Sequence, residues 1–146
     1  MSNPKNTTVV IPSLRYADAP KAIDWLCNAF GFERHLVVPD EGGTIAHAQL
    51  RIGNGMLMLG SGGDHDGPFD RLVRPPKSRN EPRPSSIYVI VEDADAHYAR
   101  ARAAGAEIVM ELEDPEYGGR AYTCSDLEGN VWTFGSYDPN AENAEG

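Results

Sequence analysis

Four histidines and two cysteines are the side chains of this 146-residue sequence best suited to acid–base, nucleophilic or metal chemistry. Cys27 and Cys124 are far apart and form no CxxC motif, which reads as two small reduced hydrophobes rather than a catalytic thiol or a disulfide framework. His35, His65 and His97 have no neighbour at metal-ligand spacing and read as solvent-facing. His47 has a more informative setting. Over residues 44–52 (TIAHAQLRI), alternation puts Ala46, Ala48, Leu50 and Ile52 on one face of a strand and His47, Gln49 and Arg51 on the other. Imidazole as a group can serve as donor or base, so His47 could donate to a ligand, act as a general base, or simply be a surface residue.

The elements that must hold these residues can be read in order. Residues 7–16 (TTVVIPSLRY) are β-branched and alternating, with Pro12 arguing for an edge strand or a gap in the ladder. Asp18 can cap a helix starting near Pro20, whose Ala22, Ile23, Leu26, Ala29 and Phe30 recur at helical spacing until Gly31 stops it. Strands follow at 32–38 and 44–52, a tight Gly53-Asn54-Gly55 turn, and a strand at 56–59. Residues 61–85 form a loop of about 25 residues rich in Gly, Pro, Asp and Arg, the length of a functional flap or a linker. Within it PFDRLV is compatible with a short turn of helix.

The same order then returns. Strand 86–91 leads to a helix capped by Asp93 or Asp95, Gly105-Ala106-Glu107 ends that helix as Gly31-Phe32-Glu33 ended the first, and three more strands follow. The offset is about 75 residues with a drift of one, the mark of internal duplication. Its clearest trace is GGTIAHAQLRIGNGMLMLGS against GGRAYTCSDLEGNVWTFGS: a Gly-Gly start, a strand, a tight Gly/Asn turn and an apolar strand ending in Gly-Ser. A half of this kind does not bury its own apolar face and must pack against its twin or a second chain.

Composition narrows the function. Hydrophobic residues at 40% and charged residues at 24% are globular usage, in one domain of ordinary size. A net charge of −9 opposes nucleic acid and anionic membrane, and the one basic run, residues 71–83, is diluted by prolines and carries no stacking aromatics. Without an apolar run of about 18 residues or the charged and apolar regions of a signal peptide, the sequence reads as soluble and cytoplasmic.

Two βαβββ modules ending in Asp126-Leu127-Glu128-Gly129-Asn130 and an apolar strand resemble the vicinal oxygen chelate superfamily of glyoxalases, bleomycin and fosfomycin resistance proteins and extradiol dioxygenases. The resemblance covers residues 7–139 and rests on LRYADAPKAIDWLCNAFGFE and GGRAYTCSDLEGNVWTFG. It implies an α+β fold in which two βαβββ modules, 7–61 and 86–139 joined by a linker at 62–85, form curled mixed sheets around a cavity within a single domain. It also implies metal ligands on the first and last strands of each module. Those places hold Ile11, Met58, Ser86 and Thr133, and their neighbours Pro12, Leu57, Leu59, Ile87, Trp132 and Phe134 are no better. Isoleucine has no donor, a thioether suits soft metals, and neutral hydroxyls bind weakly. The expectation is therefore no metal and no cofactor.

If the face with Ile11 and Met58 lines the cavity, Ser13, Arg15, Met56, Tyr88 and Ile90 join it by alternation, and the repeat offset maps His47 onto Tyr122. The expected ligand-binding set is Arg15, His47, Met58, Tyr88, Arg120 and Tyr122, polar donors among apolar walls that suit an organic molecule with an anionic or carbonyl group. Arg15 could equally be spent pairing a carboxylate. Trp25 and Trp132 read as core or dimer contacts, and Tyr117 with Gly118-Gly119 as either a small lid or a plain hairpin turn. The favoured function is a homodimer that binds, and could sequester, a small organic molecule. The alternative is an enzyme of glyoxalase type with ligands drawn from elsewhere, or one using His47 as base with Arg15 or Arg120 holding an oxyanion.

Overall fold

The computed structural model describes residues 8–62 and 67–141. It is α+β, with two four-stranded mixed sheets built by the same recipe. In the first, β1 (Ser13–Tyr16) lies parallel to β4 (Gly55–Ser61), which is antiparallel to β3 (Ile45–Ile52), which is antiparallel to β2 (Glu33–Pro39). The second repeats this order with β5 (Ile87–Ile90), β8 (Val131–Gly135), β7 (Ala121–Ser125) and β6 (Glu107–Glu113). Helix α1 (Ala19–Phe30) follows β1 and α3 (Ala94–Ala103) follows β5, while a short α2 (Pro68–Leu72) falls in the inter-module stretch, where PFDRLV stands. By proximity the described chain forms two units. One takes in the chain up to Pro20 with Glu33–Pro75; the other takes in Lys21–Phe32 with the chain from Pro76 onward. Nearly all of α1 thus groups with the second sheet.

In the first unit β1 is an edge strand that begins only after Pro12, as a residue without an N–H requires. Leu57 and Leu59 of β4 pair with Leu50 and Ala48 of β3, and all four are buried. The opposite face carries the polar and thioether side chains described below. One expectation fails here. Ala46 does not share the buried face with Ala48: it is exposed and Ile45 is buried. Val38 pairs with His47 but Pro39 pairs with Ile45, so Ala46 is the extra residue of a bulge, and a bulge reverses the alternation.

The second unit has an aromatic core on one sheet face. Trp132, Phe134, Tyr122 and Cys124 are buried, and Phe30 of α1 meets Phe134 and Trp132 at ring-centroid distances of 4.6 and 5.3 Å. Asp93 caps α3 by accepting from the Ala96 N–H, and Arg100 and Arg102 lie at its C-terminal turn, where cations complement the helix dipole. The edge strand β6 exposes Glu107, Glu111 and Glu113, charges that discourage pairing with another sheet.

The Asp126–Asn130 turn is knitted to the stretch between the modules. Buried Asp126 accepts from the backbone N–H groups of Glu128 and Asn130, from Asn130 Nδ2 and from Trp132 Nε1. Arg79 donates to the Asp126 carbonyl and pairs with Glu107, while Arg83 donates to the Glu128 carbonyl. Gly129 has φ of 92°, and a Cβ there would stand 2.3 Å from the Arg79 carbonyl oxygen, so only glycine lets the strap lie so close. The basic run is therefore partly spent on the protein's own carbonyls and carboxylates.

Candidate functional site

The first sheet gathers three of the six expected binding residues on one face. Met58 sits between Ser13 of β1 and Gln49 of β3, and Met56 lies opposite Arg51. Arg15, two residues beyond Ser13, and His47, two residues before Gln49, both lie toward the Gly60 end of β4. Arg15 pairs directly with Gly60, where a Cβ would come within 3.1 Å of its Nη1, so the bare glycine gives the guanidinium room above β4. His47, Gln49, Met56 and Met58 are all half-buried, and His47 Nε2 is 3.1 Å from Gln49 Nε2. Leu36 and Val38 of β2, which pair with Gln49 and His47, add half-exposed apolar surface to this face.

Arg15 is held more closely than the sequence alone indicates. Its Nη1 donates to the Ser61 carbonyl at 3.0 Å, its Nη2 is 3.6 Å from Asp70 Oδ1, and its guanidinium lies 4.8 Å from the centroid of the Phe69 ring. Ser61 is itself a buried link, its hydroxyl accepting from the Ile45 N–H. Phe69 and Asp70 belong to α2 and escape a strand-based search, although their place in PFDRLV was the available signal.

In the second unit Tyr88 stands apart from Arg120 and Tyr122. Tyr88 shares a face with Thr133, Thr123 and Met110, whereas Tyr122 pairs with Phe134 on the opposite, buried face. The expected equivalence of Tyr122 with His47 is thus corrected. Met58 matches Thr133 at an offset of 75 but Gln49 matches Thr123 at 74, so Ala48 is the counterpart of Tyr122. A drift of one residue moves a strand side chain to the other face. Burial pushes the Tyr122 phenol well above its ordinary value.

Arg120 points toward the helical side as well. It donates to Asp95 in the first turn of α3 at 2.7 Å and to Asp114 at 3.0 Å, bonds that hold it charged. With both carboxylates engaged it is a surface clamp and does not share the Tyr88 face.

Tyr88 donates to the Tyr137 carbonyl at 2.7 Å, and partial burial pushes its phenol up. Tyr88, Tyr117, Tyr137 and Pro139 line an open cleft of about 270 Å³, where the Tyr117 and Tyr137 rings meet edge to face at 5.0 Å. Tyr117 therefore belongs to an aromatic wall. Tyr137 and Pro139, which complete it, lie in the second module beyond Ser136, where the first module has no counterpart to signal them.

His97 is the other correction. It is not solvent-facing: Nε2 is 2.8 Å from the Phe30 carbonyl, Nδ1 is 2.7 Å from Tyr122 Oη, and its ring stacks on Phe134 at 4.0 Å. Burial lowers its pKa, helped by the Arg100 charge and opposed by the Phe30 bond. The neutral ring donates from Nε2 and accepts at Nδ1, a structural role. Its signal was its place with Ala94 and Ala101 on the buried stripe of α3. His35 is exposed, His65 lies outside the described residues, Trp132 is core, and Trp25 donates to the Ala104 carbonyl. Burial, with the Asp126 charge adding to it, pushes the Cys124 thiol up to about 12; Cys27 is half-buried.

The four places where a metal is implied do not fit one. Ile11 and Ser86 are exposed residues ahead of β1 and β5, Met58 offers a thioether, and the Thr133 hydroxyl is 2.8 Å from that of Thr123. Among the described residues no cluster of three or more His, Cys, Asp or Glu side chains could hold a cation. Neutral hydroxyls, a thioether and a hydrocarbon do not make a site for a hard divalent ion.

The chain matches the family model of the Glyoxalase/Bleomycin resistance protein/Dioxygenase superfamily over residues 8–134 and belongs to that superfamily. It is 35% identical over 124 residues to the uncharacterized protein Mb0911c of Mycobacterium bovis, covering 85% of this chain and 80% of the relative. Among solved structures, TioX from Micromonospora sp. ML1 is 33% identical with a TM-score of 0.69, the match covering 92% of this chain and 99% of TioX. The fosfomycin resistance protein FosX from Listeria monocytogenes, solved with Mn(II) and 1S,2S-dihydroxypropylphosphonic acid, has a TM-score of 0.65 over 91% of this chain and 92% of its own. Its identity of 16% makes it a likeness of fold alone.

Proposed function

We propose that this chain is a metal-free member of the superfamily that binds a small organic molecule and, by holding it, sequesters a toxic compound. The observation that carries this reading is the first-sheet face, where Arg15 and His47 stand among Met56, Met58, Leu36 and Val38. A few fixed donors among apolar and thioether surface is the composition of an organic-ligand site, and methionine adapts to varied shapes. Arg15, His47 and Met58 contact the ligand on this face. Tyr88, with the aromatic cleft beside it, offers a separate stacking surface of the second unit. Arg120 and Tyr122 are not part of this proposal, because their side chains serve the ion pairs and core on the helical side.

We also propose a cytoplasmic homodimer. Its support is the half-exposed apolar surface of Val109 and Met110 on β6 for the dimer, and two free cysteines for the compartment. Light scattering that returns a monomer at micromolar concentration would remove the dimer from this proposal.

The test of the main reading is a screen of organic compounds by ligand-observed NMR on native protein and on His47→Ala and Met58→Ala. Binding that survives chelation and weakens in both variants is expected. Stoichiometric tight metal in the purified protein, with turnover lost on chelation and restored by adding metal, sinks the metal-free reading. The location of His47 on the open face also keeps a second reading in play, in which it serves as a general base. Turnover of any compound that His47→Ala leaves unchanged ends that version.

A further inference from the structure

Arg15 meets Asp70 without the hydrogen bonds of a conventional ion pair. The closest approach, Nη2 to Oδ1 at 3.6 Å, is beyond hydrogen-bond length. That oxygen is buried and has no hydrogen-bond donor among the described residues, although the Asp70 side chain is 14% and the Arg15 side chain 19% exposed. A carboxylate withdrawn from water without a donor carries a desolvation cost that attraction across such a gap only partly offsets. The guanidinium, by contrast, has a planar fork of donors made for two carboxylate oxygens, and Asp70 does not fill it.

Phe69 and Asp70, the two side chains that engage Arg15, are adjacent in α2, while Leu72 of the same short helix is 85% exposed. Pro75, just beyond α2, lies so close to Gly62 that a Cβ there would stand 2.8 Å from its Cδ and 3.0 Å from the Arg15 Cβ. At the C-terminal side of the segment Pro75 lies near Gly62, and over the sheet the Phe69 ring and the Asp70 carboxylate meet Arg15. Beneath it, the face that begins at Arg15 continues to Met58, Gln49 and His47.

We propose that Asp70 stands in the place of an anionic group of the ligand and that α2 is the lid over this site. This inference rests on the ligand-binding reading above and gives its ligand a charge class: an organic anion, such as a carboxylate or phosphonate on an apolar body. On binding, the anion takes over the Arg15 fork, Asp70 returns to water, and α2 leaves the sheet with Phe69. The apolar body then lies on Met58 and Met56. Apparent affinity scales with the fraction of molecules in which Arg15 is uncapped, so weakening the cap raises affinity for any ligand that needs the lid open, and most for an anion, which also no longer competes with the Asp70 charge.

The experiment uses benzoate as the anionic probe and benzamide as its neutral isostere. Affinities come from ligand-observed NMR and lid position from amide exchange over residues 69–73. Asp70→Asn is expected to bind benzoate more tightly than the native protein by about fivefold or more, with a smaller gain for benzamide. Benzoate is expected to speed exchange over residues 69–73 in the native protein, and Arg15→Met to abolish the preference for benzoate over benzamide. Where Arg15→Met does not fold, Arg15→Lys, which keeps the charge and loses the fork, should show a reduced preference. Equal or weaker benzoate binding in Asp70→Asn, no benzoate binding, or binding that leaves exchange unchanged each overturns the proposal. If benzoate and benzamide bind the native protein equally, the small-molecule reading stands and the lid fails. If neither binds, the lid fails and the broader reading rests on its own screen.

Discussion

Replacing Asp126 by alanine would test whether the turn most diagnostic of the family is a structural device. The Asp126 carboxylate is fully buried and accepts four hydrogen bonds: from Glu128 N at 2.9 Å, Asn130 N at 3.0 Å, Asn130 Nδ2 at 3.2 Å and Trp132 Nε1 at 3.1 Å. Asp126→Ala strands all four donors. The Trp132 indole N–H is the buried one and should cost about 2 kcal/mol, while the three in part-buried bonds can recruit water and should cost about 0.5–1 kcal/mol each. The sum is roughly 4 kcal/mol, inside the range for breaking a buried charged network and a large part of a small domain's stability. Urea unfolding followed by tryptophan fluorescence reads it directly. Trp132→Phe removes the buried donor itself, so the double variant should lose less than the two single losses added together. A loss below about 1 kcal/mol in Asp126→Ala, or strict additivity in the pair, would refute this reasoning. So would a normally stable Asp126→Ala protein that no longer binds ligand, because the turn would then be functional.

The pH dependence of stability follows from His97, whose folded pKa lies below its ordinary value of 6.5 because it is buried, with Arg100 adding to the effect. The unfolded chain then binds the proton more readily, so this contribution is complete above pH 6.5 and is lost as pH falls through the folded pKa. Urea midpoints measured from pH 8 to pH 5 should drop on the acid side in native protein, with a shallower drop in His97→Gln; equal slopes contradict it. Cys124, with its thiol near 12, should resist alkylation at pH 8 until the protein is unfolded, and labelling at the native rate of an exposed thiol would contradict its burial. Arg79→Ala should loosen the strap on the Asp126–Asn130 turn and speed proteolysis within residues 76–86, and an unchanged digestion rate would show that the strap does not depend on that arginine.

The order of elements was legible because duplication repeats each local signal: the strand before the capped helix, the glycine after it, and the hairpin at the end. Which face a residue occupies was less so. A strand alternates with period two, so the one-residue difference between the β3-to-β7 and β4-to-β8 offsets sent Tyr122 to the core, and the bulge at Ala46 exposed Ala46 and buried Ile45 in its stead. Arg15, His47 and Met58 share one sheet face, as alternation within the first module implies, because no offset had to be carried over there. The roles of His97 and Asp70 depend on tertiary contacts with Phe30, Tyr122 and Arg15 that no local pattern encodes.

The central claim is that an organic molecule binds the first-sheet face without a metal, and methionine-methyl NMR tests it most directly. With the methyl groups isotopically labelled, a compound found by the screen should shift the Met56 and Met58 signals, leave Met110 in place, and do so identically with and without a chelator. Shifts that vanish on chelation and return with added divalent metal, or that spare Met56 and Met58, would contradict the claim.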